Sequence, residues 1–243
     1  VSTLELDGSG NLYIGGNFQV SPEKDNPAVI AKLALATNTV STVVPYYETP
    51  RSLARTPKTG TSGALSLVVA GGSLFVGGDF SDYGTAARSG LAAYDLTSGA
   101  LRNDFNPSPD GMVMVVRASA NAQAVFVGGE FDNIAGAAHS AIAKLDIANG
   151  QNVAGFNASA NSYVKDMAVR TDGTTVYVGG NFTTAGGVRA NRVAYFNGTY
   201  FAALGDGVDG TVSAIATLNN GDVIVGGSFA NASGVPATGI ARW

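Results

Sequence analysis

A single histidine, His139, stands in a chain of 243 residues that contains no cysteine. Thiol catalysis, disulfides and cysteine-based metal sites are thereby excluded, and a nucleophile–base pair has only His139 as its base. It falls in Ala135-Gly136-Ala137-Ala138-His139-Ser140. Related segments carry Arg88 and Asn191 at the aligned position, so the histidine reads as a solvated loop residue with no third group to orient it. Acids are more numerous, and a two-carboxylate mechanism needs only a pair. Yet Asp79, Glu130, Asp95 and Asp146 sit at recurring positions. Asn17, Asn181 and Ser228 replace the acid in other copies, which points to a demand for a small hydrogen-bonding side chain. Asp7-Gly8-Ser9-Gly10-Asn11 has oxygen ligands at alternate positions but lacks the downstream bidentate glutamate of a calcium loop, and it reads as a turn. No histidine cluster supports zinc, and no glycine-rich stretch ends in Gly-Lys-Ser/Thr. The sequence predicts a non-enzyme with no catalytic residue, no metal and no cofactor.

Binding chemistry concentrates in the segment 46–62, where Tyr46, Tyr47, Arg51, Arg55 and Lys58 form a local aromatic and cationic cluster. Aromatic and arginine side chains are the favoured anchors of protein interfaces, and a long loop in a compact domain is often functional. This loop is the candidate for a protein or cell-surface partner; its plain alternative is a solvated excursion at a sheet edge. The rest of the chain is acidic, with 14 Lys+Arg against 18 Asp+Glu, and no basic stripe suits nucleic acid. No apolar run approaches the roughly 18 residues of a membrane helix. Asn-x-Ser/Thr triplets occur at Asn157, Asn181, Asn197 and Asn231; in a eukaryotic secreted protein Asn197, in a turn, is the first candidate glycan acceptor. Sugar pockets need exposed aromatic rings. Trp243 is the sole tryptophan and Tyr83 has no aromatic counterpart in other copies, so glycan binding is the second reading.

The elements that position these residues are set by a repeat. Five times an alternating apolar strand runs into Gly-Gly-x-Phe, with first glycines at Gly15, Gly77, Gly128, Gly179 and Gly226. Self-similarity at about 40–50 residues with strands in each unit marks a β-propeller, one blade per repeat. The expectation is one all-β domain over 1–243, with five blades at about 1–62, 63–112, 113–163, 164–211 and 212–243. Each unit starts with a small-residue inner strand (Val164–Arg170 in the fourth) and an Asp-Gly or Asn-Gly turn. The Gly-Gly strand follows, then a third strand (Arg192–Phe196) and an outer strand (Thr199–Leu204). Outer strands are expected at Val40–Pro45, Leu101–Asn106 and Asn152–Asn157 as well, about nineteen strands in all. The fifth unit stops at Trp243 without one; it stays three-stranded or is completed by residues outside this chain or by another chain, and a cut from a longer polypeptide is the expectation. Hydrophobic residues make up 45% and charged residues 13%, about half the ~25% of an average soluble domain, which suits a stiff, weakly charged body.

The unit Val176-Tyr177-Val178-Gly179-Gly180-Asn181-Phe182-Thr183-Thr184-Ala185-Gly186-Gly187 resembles the bacterial delta-60-type β-propeller repeat. Asn197-Gly198-Thr199 through Ala203-Leu204-Gly205 is similar to the outer-strand pattern of the related fungal cortical polarity-marker propellers. The resemblance covers nearly the whole chain. It implies an extracellular, non-catalytic module and brings no catalytic residues. A cell-surface, adhesive or structural scaffold that contacts protein partners is the expectation. The first repeat departs from the pattern through its longer insertion and through Ala36-Thr37-Asn38 in place of an Asp-Gly turn.

Overall fold

The computed structural model describes residues 1–19, 27–42, 63–80, 82–83, 86–156 and 158–243. The cluster Tyr46, Tyr47, Arg51, Arg55 and Lys58 lies outside them, as does Asn157. The described residues are all-β, arranged as five antiparallel sheets that each meander from an inner strand outward. The inner strands are Thr3–Leu6, Ala64–Ala70, Met112–Ala118, Val164–Val169 and Thr211–Thr217. The glycine-bearing second strands are Asn11–Gln19, Ser73–Gly78, Ala124–Glu130, Val176–Gly180 and Val223–Ser228. The third are Pro27–Ala34, Leu91–Asp95, Ile142–Asp146, Val193–Phe196 and Ile240–Arg242.

Only the first and fourth sheets carry a regular outer strand among the described residues, Thr39–Thr42 and Phe201–Ala203. In the second and third, the expected outer strands shrink to the single bridges Tyr94↔Leu101 and Leu145↔Asn152. The chain leaves the ladder there and carries Phe105 and Phe156 into the core, where burial of a phenylalanine outweighs a few edge hydrogen bonds. The sequence pattern also gave no sign of four small hairpins, such as Asn133–Ile134 with Ala137–Ala138, set between the second and third strands of sheets two to five. Left-handed residues turn three of them: Ala135-Gly136, Gly186-Gly187 and Ser233-Gly234.

Each core sits between successive sheets. One apolar cluster joins sheets one and two through Tyr13, Ile30, Leu67 and Val76, and three further clusters fill the next three interfaces. A register shift in each of inner strands two to five puts two residues three apart on one face, which a regular strand could not do. The pairs are Ala64/Leu67, Val113/Val116, Val164/Met167 and Val212/Ile215, all buried. Each pair presses on the first glycine of the preceding sheet. A Cβ on Gly77 would lie 2.6 Å from Val113 Cγ1, and one on Gly128 would lie 2.8 Å from both Val164 Cγ1 and Met167 Cε. The first glycine is therefore a seat that brings neighbouring sheets together. The aromatic two residues after the second glycine is buried at Phe131, Phe182 and Phe229.

Candidate functional site

All five inner strands line one axial cavity of about 570 Å³, through Leu4 and Glu5, Val68, Arg117, Ala168 and Ile215. Around this axis each of the first four sheets reaches the backbone of the next. Glu5 accepts the N–H of Val69 at 3.1 Å, and Ser66 Oγ accepts that of Val116 at 3.0 Å. Arg117 donates Nε to the Met167 carbonyl at 2.9 Å and Nη2 to Asp166 Oδ1 at 2.7 Å. Asp166 Oδ2 in turn accepts the N–H of Ile215 at 2.9 Å. Burial pushes the Glu5 carboxyl up, with the Val69 N–H opposing. The cluster laces the sheets side by side and presents Glu5, Arg117, Lys165 and Asp166 toward the axis.

At the other end of the inner strands a second set of side chains repeats. Asp110 Oδ1 accepts the N–H groups of Asp132 and Asn133, and its Oδ2 accepts Asn133 Nδ2 at 2.7 Å. Asn161 Oδ1 does the same for Thr183 and Thr184, and Asp209 for Ala230 and Asn231. These side chains staple the start of the third, fourth and fifth inner strands onto the small hairpin of the same sheet. The hydrogen bonds from Asn231 hold the Asp209 carboxyl down at about 2, and those from Asn133 lower Asp110. A depressed carboxyl stabilises the fold above its unfolded value and loses that stabilisation as pH falls through the folded value. Asp209→Asn should keep the acceptor, as Asn161 shows, and lose the titration. The difference in Tm between the native chain and D209N is expected to narrow as pH falls from about 4 to 2; a constant difference across that range would refute the assignment.

The structure moves His139 from solvent to the interior. It is 8% exposed, with Nδ1 3.4 Å from the Ala158 carbonyl oxygen. The left-handed residues Gly90, Ala141 and Arg192 align Arg88, His139 and Ala190, so Asn191 is one position out of register. Arg88 is buried too and donates to the Arg102 carbonyl and Asn103 Oδ1, both at 3.1 Å. Arg88 and His139 thus reach the segment that follows their third strand, whereas Ala190 has no polar group to do so. Asp95 accepts the N–H of Ser98 at 2.7 Å and Asp146 that of Ala148 at 2.7 Å, both within turns. Asp7 accepts Ser9 N–H at 2.8 Å and Asn11 Nδ2 at 2.6 Å, the expected turn. Among the described residues no group of three His, Asp or Glu could hold a metal ion. Asn231 uses its amide nitrogen on Asp209, whereas the turn bonds of Asn197 run through its oxygen, which accepts the N–H groups of Thr199 and Tyr200.

Sequence reasoning missed the staples and the lacing residues. The staples carry a signal, since Asp110, Asn161 and Asp209 each stand three residues before an inner-strand valine, Val113, Val164 and Val212. The lacing residues carry none, because Ser66 and Asp166 share one register position and Glu5 and Arg117 another, yet the residue type changes from copy to copy.

Meandering sheets packed side by side around an axis, with their inner strands lining it, define a β-propeller type of fold. The family model of the Rax2 C-terminal beta propeller domain matches residues 145–236, less than half of the chain. None of the curated proteins matches the sequence. Among solved structures, a chain of a mitotic checkpoint complex is similar with a TM-score of 0.60 at 15% identity, over 93% of this chain and 56% of that one. Hydrazine synthase of Kuenenia stuttgartiensis is similar at 0.54 and 11% identity, over 92% of this chain and 54% of that one. The chain spans little more than half the length of these neighbours, and the likeness is one of fold.

Proposed function

We propose that the chain is a non-catalytic scaffold, a five-bladed β-propeller that mediates protein–protein contacts at the cell surface or outside the cell. The observation that carries this reading is the architecture itself: four like-built sheet interfaces make a rigid body whose loops are free to differ, the usual way propellers present binding surfaces. The Rax2-type match over 145–236 supports it, and one fold neighbour belongs to a multiprotein complex. The surface location rests on the resemblance to delta-60-type repeats.

The segment with Tyr46, Tyr47, Arg51, Arg55 and Lys58 is the proposed contact loop. Replacing Arg51, Arg55 and Lys58 together with serine should cut the yield of cross-linked partner on intact cells at least about tenfold while Tm stays unchanged, since truncation of even one hot-spot anchor costs about 1–2 kcal/mol or more. Undiminished cross-linking by that variant would remove the loop from the reading.

One observation favours glycan binding as a second reading. A cavity of about 350 Å³ is lined by Phe156, Phe196, Tyr200 and Phe201, and Tyr200 is 61% exposed, an aromatic platform of the kind sugars stack on. Retention of a glycan on an array, abolished by Tyr200→Ala, would support it; an array with no binder would discard it.

A further inference from the structure

The same position is covered in four sheets and bare in the fifth. Across the ladder from each seat glycine stands a third-strand residue: Ile30 opposite Gly15, Leu91 opposite Gly77, Ile142 opposite Gly128, Val193 opposite Gly179 and Ile240 opposite Gly226. The first four are at most 1% exposed; Ile240 is 65% exposed. A Cβ on Gly226 would find nothing nearer than Ala214 Cβ and the Gly239 oxygen, both at 4.0 Å, where the other seats hold side chains of the following sheet. The converse holds on the first sheet. The pairing of Leu4 with Ile14 places Val1 and Leu4 in register with Val113 and Val116. Val113 and Val116 are fully buried, while Val1 is 72% and Leu4 56% exposed, with Leu6 at 59% beside them. The lacing stops at the same place: the fifth sheet has Ala214 where the fourth has Asp166.

We infer that the flank of the fifth sheet is a docking seat for a further sheet of this same repeat, which enters with two apolar inner-strand residues three apart over Gly226. The inference rests on the interfaces inside the chain and not on the proposed scaffold role. The occupant follows from continuity with those four interfaces. It must set an apolar pair against Gly226 and Ile240, and offer a paired-glycine strand to Val1 and Leu4. A repeat of this type carries both, on its two faces. Leu4, on the bare flank of the first sheet, lines the axial cavity together with inner-strand residues of the other four sheets.

The test uses the full chain extended after Trp243 by a second copy of residues 197–243. That addition supplies an outer strand for the fifth sheet and then a sixth sheet whose copied Val212 and Ile215 reach Gly226. The expected result is a rise in Tm of about 5 °C or more and protease resistance of the added segment equal to that of the body. Gly226→Val should leave the Tm of the unextended chain unchanged and abolish the gain in the extended one. Cleavage of the addition with Tm unchanged would overturn the inference. So would a gain that survives Gly226→Val, because the outer strand alone would then account for it. Sedimentation of the unextended chain as a dimer that Leu4→Glu dissociates would assign the seat to a second copy and likewise overturn it.

Discussion

Gly128→Val is expected to lower stability by about 3 kcal/mol, a loss of ~6–12 °C in Tm, while Gly226→Val leaves it within about 0.5 kcal/mol. Both residues are the first glycine of a Gly-Gly pair in a second strand, and the sequence around each is alike: Val127-Gly128-Gly129 and Val225-Gly226-Gly227. Intrinsic strand preference therefore acts equally on both and favours valine if anything. The difference lies in what faces them. A single Cβ on Gly128 would stand 2.7 Å from Val115 Cγ1 and 2.8 Å from Met167 Cε and Val164 Cγ1. Those three side chains are buried in the cluster between sheets three and four, so none can turn aside without displacing others. Two more methyl groups would force the sheets apart. Urea unfolding of the two variants beside the native chain decides the matter. Equal losses at both positions would mean that the glycines serve the strand and not the neighbouring sheet.

Much of this architecture was legible because it repeats. The Gly-Gly-x-Phe signal located all five second strands, and the inner and third strands fall within a few residues of the expected places. What a period cannot show is a difference between copies. Leu101 and Asn152 head segments that fall where the repeat places outer strands, yet each makes one bridge before the chain turns inward, because Phe105 and Phe156 four residues later bury their rings. The candidate site was legible least. Arg117 and Asp166 stand 49 positions apart in sequence and meet only because consecutive inner strands lie side by side. His139 was misplaced for the same reason, since the carbonyl of Ala158 that faces it belongs to the connection into the next sheet. The exposed pair Val1 and Leu4 looks in sequence like any other inner strand; only its accessibility separates it from Val113 and Val116.

Phe156→Ala is expected to cost about 4 kcal/mol. The ring is 5% exposed and meets three others edge-on: Phe126 at 5.8 Å between centroids, Phe196 at 5.0 Å and Phe201 at 6.2 Å. Phe126 belongs to the second strand of the third sheet, and Phe196 and Phe201 to the third and outer strands of the fourth. The side chain is thus a wedge between two sheets, lodged where the missing outer strand of the third sheet would have run. Its removal takes away the transfer free energy of a phenyl group and leaves a void. The surrounding strands cannot collapse into that void, because the seat at Gly128 and the Arg117–Asp166 lace already fix the spacing of the two sheets. Phe105 stands in the same relation to Phe75, at 5.0 Å and 71°, one interface earlier. Phe105→Ala should therefore cost a similar amount, and the two losses should add, since the wedges serve different interfaces. Denaturant unfolding of both single variants and the double variant checks this. Loss of Phe156 for under about 1 kcal/mol would show that the interface closes without its wedge.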